Sequence, residues 1–296
     1  MNRSNISRNR ICVFSISTFL LGYIISFFMM AKGGLKCENA SALFSLMMLM
    51  PAFSVIITQF FTKEGMRSPY LKLNFRENIS VYLISYFLVQ LLVIVGAVVY
   101  FLIFPHTFDG KLDSLADIIT AQGREVDRGG LYSLMTVQII FQILSAPLLN
   151  FFFAFGEEYG WHAYLFPKLC DITTPLNASV ITGVACGLFY APMVAMGYNY
   201  KSGYPGFPFT GILVMIIYCV IIAIILSYFT YRTKSVFPAV FMHSALNVCS
   251  STSTLFAVGQ KANPFIGPSP TGILGGIGFI ICGIICVVLL RKENTK

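Results

Sequence analysis

Two adjacent carboxylates, Glu157 and Glu158, directly follow a long apolar run and are the residues best suited to chemistry. An ionised side chain at the centre of a membrane helix costs about 2.5–3.5 kcal/mol on insertion scales. The only tryptophan of the chain, Trp161, and one of its three histidines, His162, lie within five residues of the pair. On a helix, Glu158 and His162 share a face, while Glu157 points about 100° away.

Two further places in the second half of the chain carry polar groups in apolar surroundings. His243 and Asn247 are four residues apart, so one helix face presents an imidazole and an amide. Tyr190 offers a hydroxyl in the glycine-containing stretch 183–192. If these places met the glutamates, one carboxylate could act as a general base, because two adjacent carboxylates do not easily both ionise in a low dielectric. The imidazole and amide could stabilise an oxyanion, which suits addition of water to a carbonyl.

Each of these groups of polar residues also has a structural explanation that involves no catalysis. The glutamates would be solvated if their helix ended in the headgroup layer. His243 and Asn247 would serve as interhelical hydrogen bonds, worth about 0.6 kcal/mol on average. Tyr190 would pack as an interfacial aromatic, and His106 lies at a span end without a special role. The coincidence of the glutamate pair with the His243 and Asn247 pair favours a reactive site.

The composition predicts the scaffold around these residues. Of the 296 residues, 56% are hydrophobic and only 11% are charged, against about 25% charged in soluble proteins. We therefore expect an all-α, polytopic membrane bundle forming one integral membrane domain, 1–296, in the cell membrane. The net charge of +8 comes from loops beside apolar spans, so it indicates topology, and nucleic-acid binding is not expected. The eight cysteines form no C-x-x-C pair, which argues against a disulfide framework and a thiolate zinc site.

A span needs about 20 mainly apolar residues, and eight segments meet this criterion. They are 11–31, 41–62, 78–105, 131–155, 175–198, 210–230, 235–256 and 271–290. The first is too long for a typical signal peptide and is interpreted as a retained span. Placing the N-terminus in the cytoplasm puts thirteen Lys and Arg residues inside and seven outside, which predicts that both termini are cytoplasmic. The segment 156–170 is predicted to be a helical continuation or a re-entrant piece that stops near Pro167.

Residues 156–169, which contain the glutamate pair, resemble the first signature of the CPBP family. This family comprises CAAX prenyl proteases and bacteriocin-processing or self-immunity proteins, also called Abi proteins. The signature is a Glu-Glu pair, three residues and then Arg. The stretch from His243 to Asn247 resembles the last signature, H-x-x-x-N/D. The middle signature, F-x-x-x-H followed by Pro, falls on residues 186–192, and the whole resemblance covers about residues 150–250.

The resemblance implies an intramembrane protease. Carried over, Glu157 would activate water, Glu158 would be its partner, and His243 with Asn247 would stabilise the oxyanion. The family is often classed among metalloproteases, yet Glu157, Glu158 and His243 form the only candidate ligand set in the sequence. We therefore expect a metal-free glutamate mechanism without a cofactor.

Two departures bear on activity: His162 stands where the first signature has Arg, and Tyr190 stands where the middle signature has His. Cys186 also replaces the Phe that opens the middle signature. A tyrosine, which titrates near pH 10, is a poor proton acceptor at neutral pH but can position water. Loss of a general acid–base group typically costs 10²–10⁴-fold in rate. His162, one turn from Glu158, could take over proton transfer.

The leading hypothesis is an endopeptidase that hydrolyses a membrane-associated, prenylated or leader peptide. Its partners would be a peptide or membrane-anchored protein substrate and the lipid bilayer. The alternative is a catalytically impaired relative acting by binding, as a bacteriocin self-immunity or membrane binding protein. A transporter with a carboxylate proton relay is a third hypothesis, disfavoured because no internal repeat is visible.

Overall fold

The computed structural model describes residues 3–65, 69–258 and 262–293, and the regular secondary structure in these ranges is helical. Within them no strand forms, and the only bridge pairing joins Phe108 to Ala257. Apolar runs of this length favour helices, because the backbone groups of a chain in lipid must be hydrogen-bonded internally. The predicted all-α class is confirmed.

The helices follow one another in a single bundle. In chain order they are α1 Arg3–Ala31, α2 Ala40–Phe61, α3 Ile79–Ile103, α4 Asp113–Ala121, α5 Arg128–Leu149, α6 Phe151–Gly160, a π-helical turn Trp161–Leu165, α7 Phe166–Cys170, α8 Pro175–Phe189, α9 Ala191–Ala195, α10 Phe209–Thr233, α11 Phe237–Cys249 and α12 Ile277–Glu293. Short 3-10 turns lie at Gly34–Lys36, Pro69–Leu71, Pro105–Thr107 and Thr252–Phe256. Within the part of the chain that the structure describes, five helices, α1, α2, α3, α5 and α10, are long and apolar enough to cross a membrane. The chain is a multi-pass membrane protein, and the number of eight spans stays a prediction.

Several predicted spans have different boundaries in the structure. The span 131–155 is broken at Asn150, where α5 ends and α6 begins. The spans 175–198 and 235–256 contain helices of only 15 and 13 residues, α8 and α11. The span 271–290 begins with non-helical chain up to Ile277, because the preceding segment is rich in glycine and proline. Three basic residues used for the topology, Arg67, Lys261 and Lys296, lie outside the described residues.

The segment after the glutamates continues as a helix to Cys170, three residues beyond the predicted stop at Pro167. A proline in an α-helix normally removes a hydrogen bond and clashes with the carbonyl four residues earlier. Here the π-helical turn from Trp161 to Leu165 comes directly before it. A π turn widens the spacing of backbone hydrogen bonds, so the proline follows without ending the helix.

Glycines bring the helices that carry the site into backbone contact. A Cβ added to Gly183 would lie 2.5 Å from Val220 Cα, and one added to Gly187 would lie 2.6 Å from Ile216 Cα. These contacts pack α8 closely on α10, as small residues do between membrane helices. On the opposite side, a Cβ on Gly156 would lie 2.6 Å from Leu49 Cδ2, so α6 packs equally closely on α2.

One end of the bundle, called the basic end, is held together by Glu64. Its carboxylate accepts a hydrogen bond from Tyr164 Oη at 2.6 Å, pairs with Lys168, and lies 3.3 Å from Arg10 Nη1. The backbone N–H of Val236, just before α11, donates to Tyr70 O at 2.9 Å at the same end. The start of α1, the end of α2, α7 and the start of α11 therefore meet there.

At the opposite end, two irregular segments, 196–208 and 262–276, pack against each other. The rings of Tyr200 and Phe265 stack at 4.9 Å, and Tyr204 packs edge-on against Phe265 at the same distance. Tyr200 Oη donates to Thr271 O at 3.4 Å. Irregular backbone is tolerated at membrane depth when it is buried in protein, and these contacts provide that cover.

Candidate functional site

Helices α6 and α11 and the end of α8 bring the side chains of Tyr190 and His243 against Glu157. The Glu157 carboxylate is fully buried, and Tyr190 Oη donates to its Oε1 at 2.5 Å. His243 Nε2 lies 3.2 Å from Oε2. That contact lacks hydrogen-bond geometry, so Oε2 has no hydrogen-bond partner among the described residues. A fully buried carboxylate oxygen is thus left to accept a hydrogen bond from another group.

Glu158 lies between two imidazoles. His243 Nδ1 is 2.5 Å from its Oε1, and His162 Nδ1 contacts its Oε2. The i, i+4 contact between Glu158 and His162 is the one expected from helix geometry. His243 therefore bridges the two glutamates, with one ring nitrogen on each.

His162 occupies the position of the arginine in the signature that residues 156–169 resemble. Its Nδ1 contacts Glu158 Oε2, and its Nε2 lies 3.4 Å from the carbonyl oxygen of Ala223 on α10. His162 therefore links Glu158 to the backbone of α10.

Asn247 lies one turn beyond His243 on the same face of α11. Its Nδ2 donates to Asn150 Oδ1 at 3.0 Å, and an amide nitrogen carries a second hydrogen that remains for another acceptor. Asn150 sits at the break between α5 and α6, and Ser244 Oγ accepts from its backbone N–H at 3.1 Å. Asn150 was not predicted to belong to the site; its position between two apolar runs was the available signal.

A cavity of about 80 Å³ adjoins these groups. Its polar lining includes Glu158, His162, Tyr190, His243 and Asn247, and its other walls include Trp161, Cys186, Met215, Cys219, Ala223 and Leu226. One water needs roughly 10–15 Å³ of such space, so the cavity has room for a few water molecules. Glu157 does not line it directly but reaches it through Tyr190 and His243.

Trp161 contributes a second unsatisfied group at this cavity. Its ring is buried between Phe14 and Phe189, with ring centroids 5.8 and 5.6 Å away. Its Nε1 has no hydrogen-bond partner among the described residues. A buried donor without a partner costs about 1–3 kcal/mol, a cost that a water in the cavity would remove. The sequence analysis noted Trp161 only as a neighbour of the glutamates.

All six residues singled out from the sequence therefore lie in one constellation. Glu157, Glu158 and His162 come from α6 and the π turn, Tyr190 from the end of α8, and His243 and Asn247 from α11. Within the described parts of the chain, no group of three or more His, Cys, Asp or Glu side chains is arranged to hold a metal ion.

Comparison with known proteins identifies the segment that carries this constellation. Residues 138–249 match the family model described as Type II CAAX prenyl endopeptidase Rce1-like. The matched segment runs from α5 to the last residue of α11 and contains all six residues of the site. No curated protein matches the chain. The family is a family of membrane proteases, and its matched region coincides with the buried glutamate and histidine groups. Over residues 138–249, this chain is therefore similar to the Rce1-like Type II CAAX prenyl endopeptidases.

Proposed function

We propose that this protein is a CPBP-type intramembrane endopeptidase that uses a glutamate to activate water. Its substrate is a membrane-associated peptide, either prenylated or carrying a leader sequence. The observation that carries the proposal is the fully buried Glu157 Oε2, which lacks a hydrogen-bond partner and lies 3.2 Å from His243 Nε2. A water hydrogen-bonded to Glu157 Oε2 beside the His243 ring would give a proton to Glu157 as it attacks the peptide carbonyl. Glu157 would then pass that proton to the leaving amine nitrogen as the C–N bond breaks.

Glu158 supports this chemistry as the partner of the base. It holds His162 and His243, so it fixes the orientation of the imidazole that faces Glu157. An imidazole held in this way keeps its tautomer and its position through the reaction, which is the role a carboxylate has in other hydrolases.

The developing oxyanion would be stabilised from α11. His243 and Asn247 stand one turn apart, and the free hydrogen of the Asn247 amide can donate while the other remains bonded to Asn150. Removing one such donor from an oxyanion hole typically costs about 10²–10³-fold in kcat.

Three of the four oxygens of the glutamate pair already contact protein donors: Tyr190 at Glu157, and His162 and His243 at Glu158. A metal bound here would have to displace these contacts. The proposed mechanism therefore uses no metal, and we expect turnover to be unchanged when a chelator of divalent cations is present.

A second function is favoured by one observation. Tyr190 Oη donates to Glu157 Oε1, and tyrosine replaces the histidine of the family signature as the partner of the base. If this hydrogen bond suppresses water activation, the protein is a catalytically impaired relative that acts by binding, for example as a bacteriocin self-immunity protein.

The two functions are separated by a cleavage assay on purified protein in liposomes. A panel of prenylated and leader peptides is incubated with wild type and with Glu157→Ala, and the products are identified by mass spectrometry. Cleavage by wild type that Glu157→Ala abolishes supports the endopeptidase. Peptide binding without turnover, with a cellular phenotype that Glu157→Ala leaves intact, contradicts it and supports the binding function.

Substitution of an exposed acid provides the matched control. Glu77 lies on the loop before α3 and is exposed, so Glu77→Ala should leave turnover unchanged. Equal losses in Glu77→Ala and Glu157→Ala would mean that the loss reflects handling of the protein and not removal of the base.

A further inference from the structure

A groove separates α3 from α5 on the apolar outer surface of the bundle. In the first half of α3 the two helices are joined, since Gln90 Nε2 donates to Ile143 O at 3.4 Å. Further along, from Val93 to Leu102, a space of about 510 Å³ lies between them, with Ile139 as its wall on α5. The cavity beside the glutamates has a volume of about 80 Å³ and different lining residues. The groove is therefore a separate feature of the molecule.

The 3-10 turn Thr252–Phe256, which follows α11, forms the back of the groove. The loop after α3 is fixed to this turn. The Phe108 ring stacks on the Phe256 ring with centroids 6.3 Å apart, and the backbone N–H of Asp109 donates to Phe256 O at 2.8 Å. An occupant of the groove therefore contacts the segment that follows the helix of His243.

The lining of the groove suits a hydrocarbon chain and not a peptide. Two hydroxyls line it, and both donate to protein acceptors: Thr252 Oγ1 to Gln142 Oε1 at 3.1 Å, and Ser253 Oγ to Pro268 O at 2.9 Å. The other lining side chains are aliphatic or aromatic. The backbone groups of the helical walls are bonded within their helices, so the amides of a peptide placed here would lack partners.

The length of the groove matches one leaflet of a bilayer. Its lining on α3 runs from Val93, near the middle of this 25-residue helix, to Leu102 at its end. At 1.5 Å per helical residue, this distance is about 14 Å. Half of the hydrocarbon core of a bilayer is about 15 Å thick. An acyl chain of a membrane lipid, which runs from the bilayer surface to its middle, therefore fits the groove.

A polar pocket of about 400 Å³ continues the groove at the end of α3, and Phe108 lines both. The carboxylate of Asp109 in this pocket is already used, since it accepts from the backbone N–H groups of Asp113 and Ser114. The side chains of Lys111 and Asp113 also line the pocket and are exposed. The pocket therefore presents both a cation and a carboxylate to a ligand.

Arg128, at the start of α5, adds a second cation beside this pocket. Its Nη1 lies 2.7 Å from Asp113 Oδ1 and donates to Lys111 O at 3.0 Å. A guanidinium has five N–H groups, so Arg128 keeps hydrogens for a further acceptor.

The charges of the whole segment 108–130 favour a ligand that carries both signs. The segment holds five acids and three bases, which gives a net charge of −2. They are Asp109, Asp113, Asp117, Glu125 and Asp127 against Lys111, Arg124 and Arg128. A headgroup with a phosphate and an ammonium matches this mixture better than a headgroup whose only charge is a phosphate, because like charges repel.

We propose that the groove and the polar pocket together bind one phospholipid with an ammonium headgroup, of the phosphatidylethanolamine type. One acyl chain fills the groove, the phosphate contacts Lys111 and Arg128, and the ammonium contacts Asp113. The bound lipid joins α3 and α5 to the turn after α11. This inference does not depend on the proposed endopeptidase function.

Lipid retention by the purified full-length protein tests this inference. The protein is reconstituted in nanodiscs of equal parts phosphatidylethanolamine and phosphatidylglycerol, released into a mild detergent, and examined by native mass spectrometry. We expect one retained phosphatidylethanolamine, favoured over phosphatidylglycerol by about threefold or more, the effect of an exposed ion pair. Equal retention of the two lipids overturns the inference. Displacement of the lipid by an equimolar farnesylated cysteine methyl ester also overturns it, because the groove would then be a site for an isoprenoid.

Substitution in the groove gives a second test with a matched control. Val98→Trp places a large ring in the groove and should lower the retention of phosphatidylethanolamine by about tenfold, because overpacking a filled site is costly. Val95→Trp places the same ring at an exposed position of the same helix that does not line the groove, and it should leave retention unchanged. Equal retention in the two variants would contradict binding in the groove.

Substitution in the polar pocket tests the headgroup at exposed positions, with melting temperatures recorded to show that the variants are folded. Lys111→Ala should lower retention of the lipid by about threefold or more, and Lys36→Ala, at an exposed lysine of another loop, should not. Asp113→Lys should reverse the preference toward phosphatidylglycerol. A folded Asp113→Lys variant that still prefers phosphatidylethanolamine would contradict the proposed headgroup contacts.

Discussion

Two carboxylate centres that join helices lie at different depths in the molecule: Glu64 is half-buried, and the pair of Glu157 and Glu158 is fully buried. At the basic end, Glu64 is surrounded by Arg10, Lys168 and the phenol of Tyr164. Near the middle of the bundle, the glutamate pair is surrounded by His162, His243 and Tyr190. Both centres join helices that are distant in sequence, and only the second adjoins the cavity described above.

The difference between the partners separates anchoring from chemistry. Arginine and lysine are permanently charged at neutral pH, so their pairing with Glu64 fixes helices in place. An imidazole can donate or accept a hydrogen bond through either ring nitrogen, which suits chemistry at the glutamate pair. We infer that the Glu64 centre is structural and that the glutamate pair is reactive.

The largest expected effect is on the rate of peptide cleavage, and it tests directly whether the glutamate pair is the reactive centre. Glu157→Gln keeps the size of the side chain but removes its capacity to accept a proton. We expect peptide cleavage to fall by about 10²–10⁴-fold, the usual contribution of a general base, with little change in the melting temperature. The measurement is kcat in detergent micelles beside a thermal unfolding curve. A rate within tenfold of wild type would exclude Glu157 as the base.

The next effect concerns the tyrosine that contacts the base. Tyr190→His combined with His162→Arg restores both family residues, and we expect cleavage to rise by up to about 10²-fold, the lower end of an acid–base contribution. Tyr198 provides the control, since its ring stacks on Tyr190 at 6.1 Å and lines the cavity without bonding Glu157. Tyr198→His should not raise the rate; a gain in that variant alone would assign the effect to cavity polarity.

At the other centre, substitution should change stability and leave the chemistry intact. Glu64→Gln leaves Arg10 and Lys168 without a charged partner. We expect a loss between the roughly 0–1 kcal/mol of an exposed ion pair and the roughly 3–5 kcal/mol of a fully buried one. The measurement is the melting temperature, with kcat staying within a few-fold of wild type. Glu77→Gln, at an exposed glutamate, should change neither the melting temperature nor kcat. A large loss of kcat in folded Glu64→Gln would contradict the division.

The smallest effect concerns a carboxylate outside the long spans. Burial alone would raise the pKa of Asp109, but hydrogen bonds from the backbone N–H groups of Ser114 and Asp113, at 2.7 and 2.9 Å, outweigh it and lower the pKa. A group with a lowered pKa stabilises the fold above its unfolded pKa of about 3.9. That stability is lost as the pH falls through the lower folded value.

Asp109→Asn should therefore destabilise the protein at pH 7 by about 0.5–2 kcal/mol, as loss of a helix cap does. The difference in melting temperature between wild type and variant should shrink as the pH falls below about 4. Asp117→Asn, at an exposed position on the same helix, should show no such pH dependence. A difference that stays constant down to pH 2 would contradict the ionised cap.

Contacts within one helix were predictable from the sequence, and most contacts between helices were not. The pairing of Glu158 with His162 follows from the helical period, and the apolar runs predicted α1, α2, α3 and α10. The meeting of the glutamates with His243 was expected only through the family resemblance, because spacing along a chain does not determine distance in space. The role of Glu64 in joining helices was not predicted. Its partner Tyr164 lies 100 residues away in the sequence, and no local motif connects the two.

The hydropathy of the sequence also did not predict where the helices break. Asn150 interrupts an apolar run that was predicted as one span, and residues 271–276 are apolar enough to have been predicted as the start of another. This segment packs directly on α3, since a Cβ added to Gly96 of α3 would lie 1.8 Å from Gly275 O. Such segments are read correctly only when the neighbours that cover their backbone are known.

The π turn lies between Glu158 and Lys168 in the continuous helix from α6 to α7. It constrains the number of residues between these two side chains as well as their types. It sets the angular phase between the glutamate pair before it and the anchoring residues, Tyr164 within the turn and Lys168 after it. Deleting one residue from the turn would rotate everything beyond it by about 100°, and Lys168 would no longer point at Glu64. We therefore expect homologous insertions and deletions to accumulate in the connecting loops and to be absent from residues 158–168.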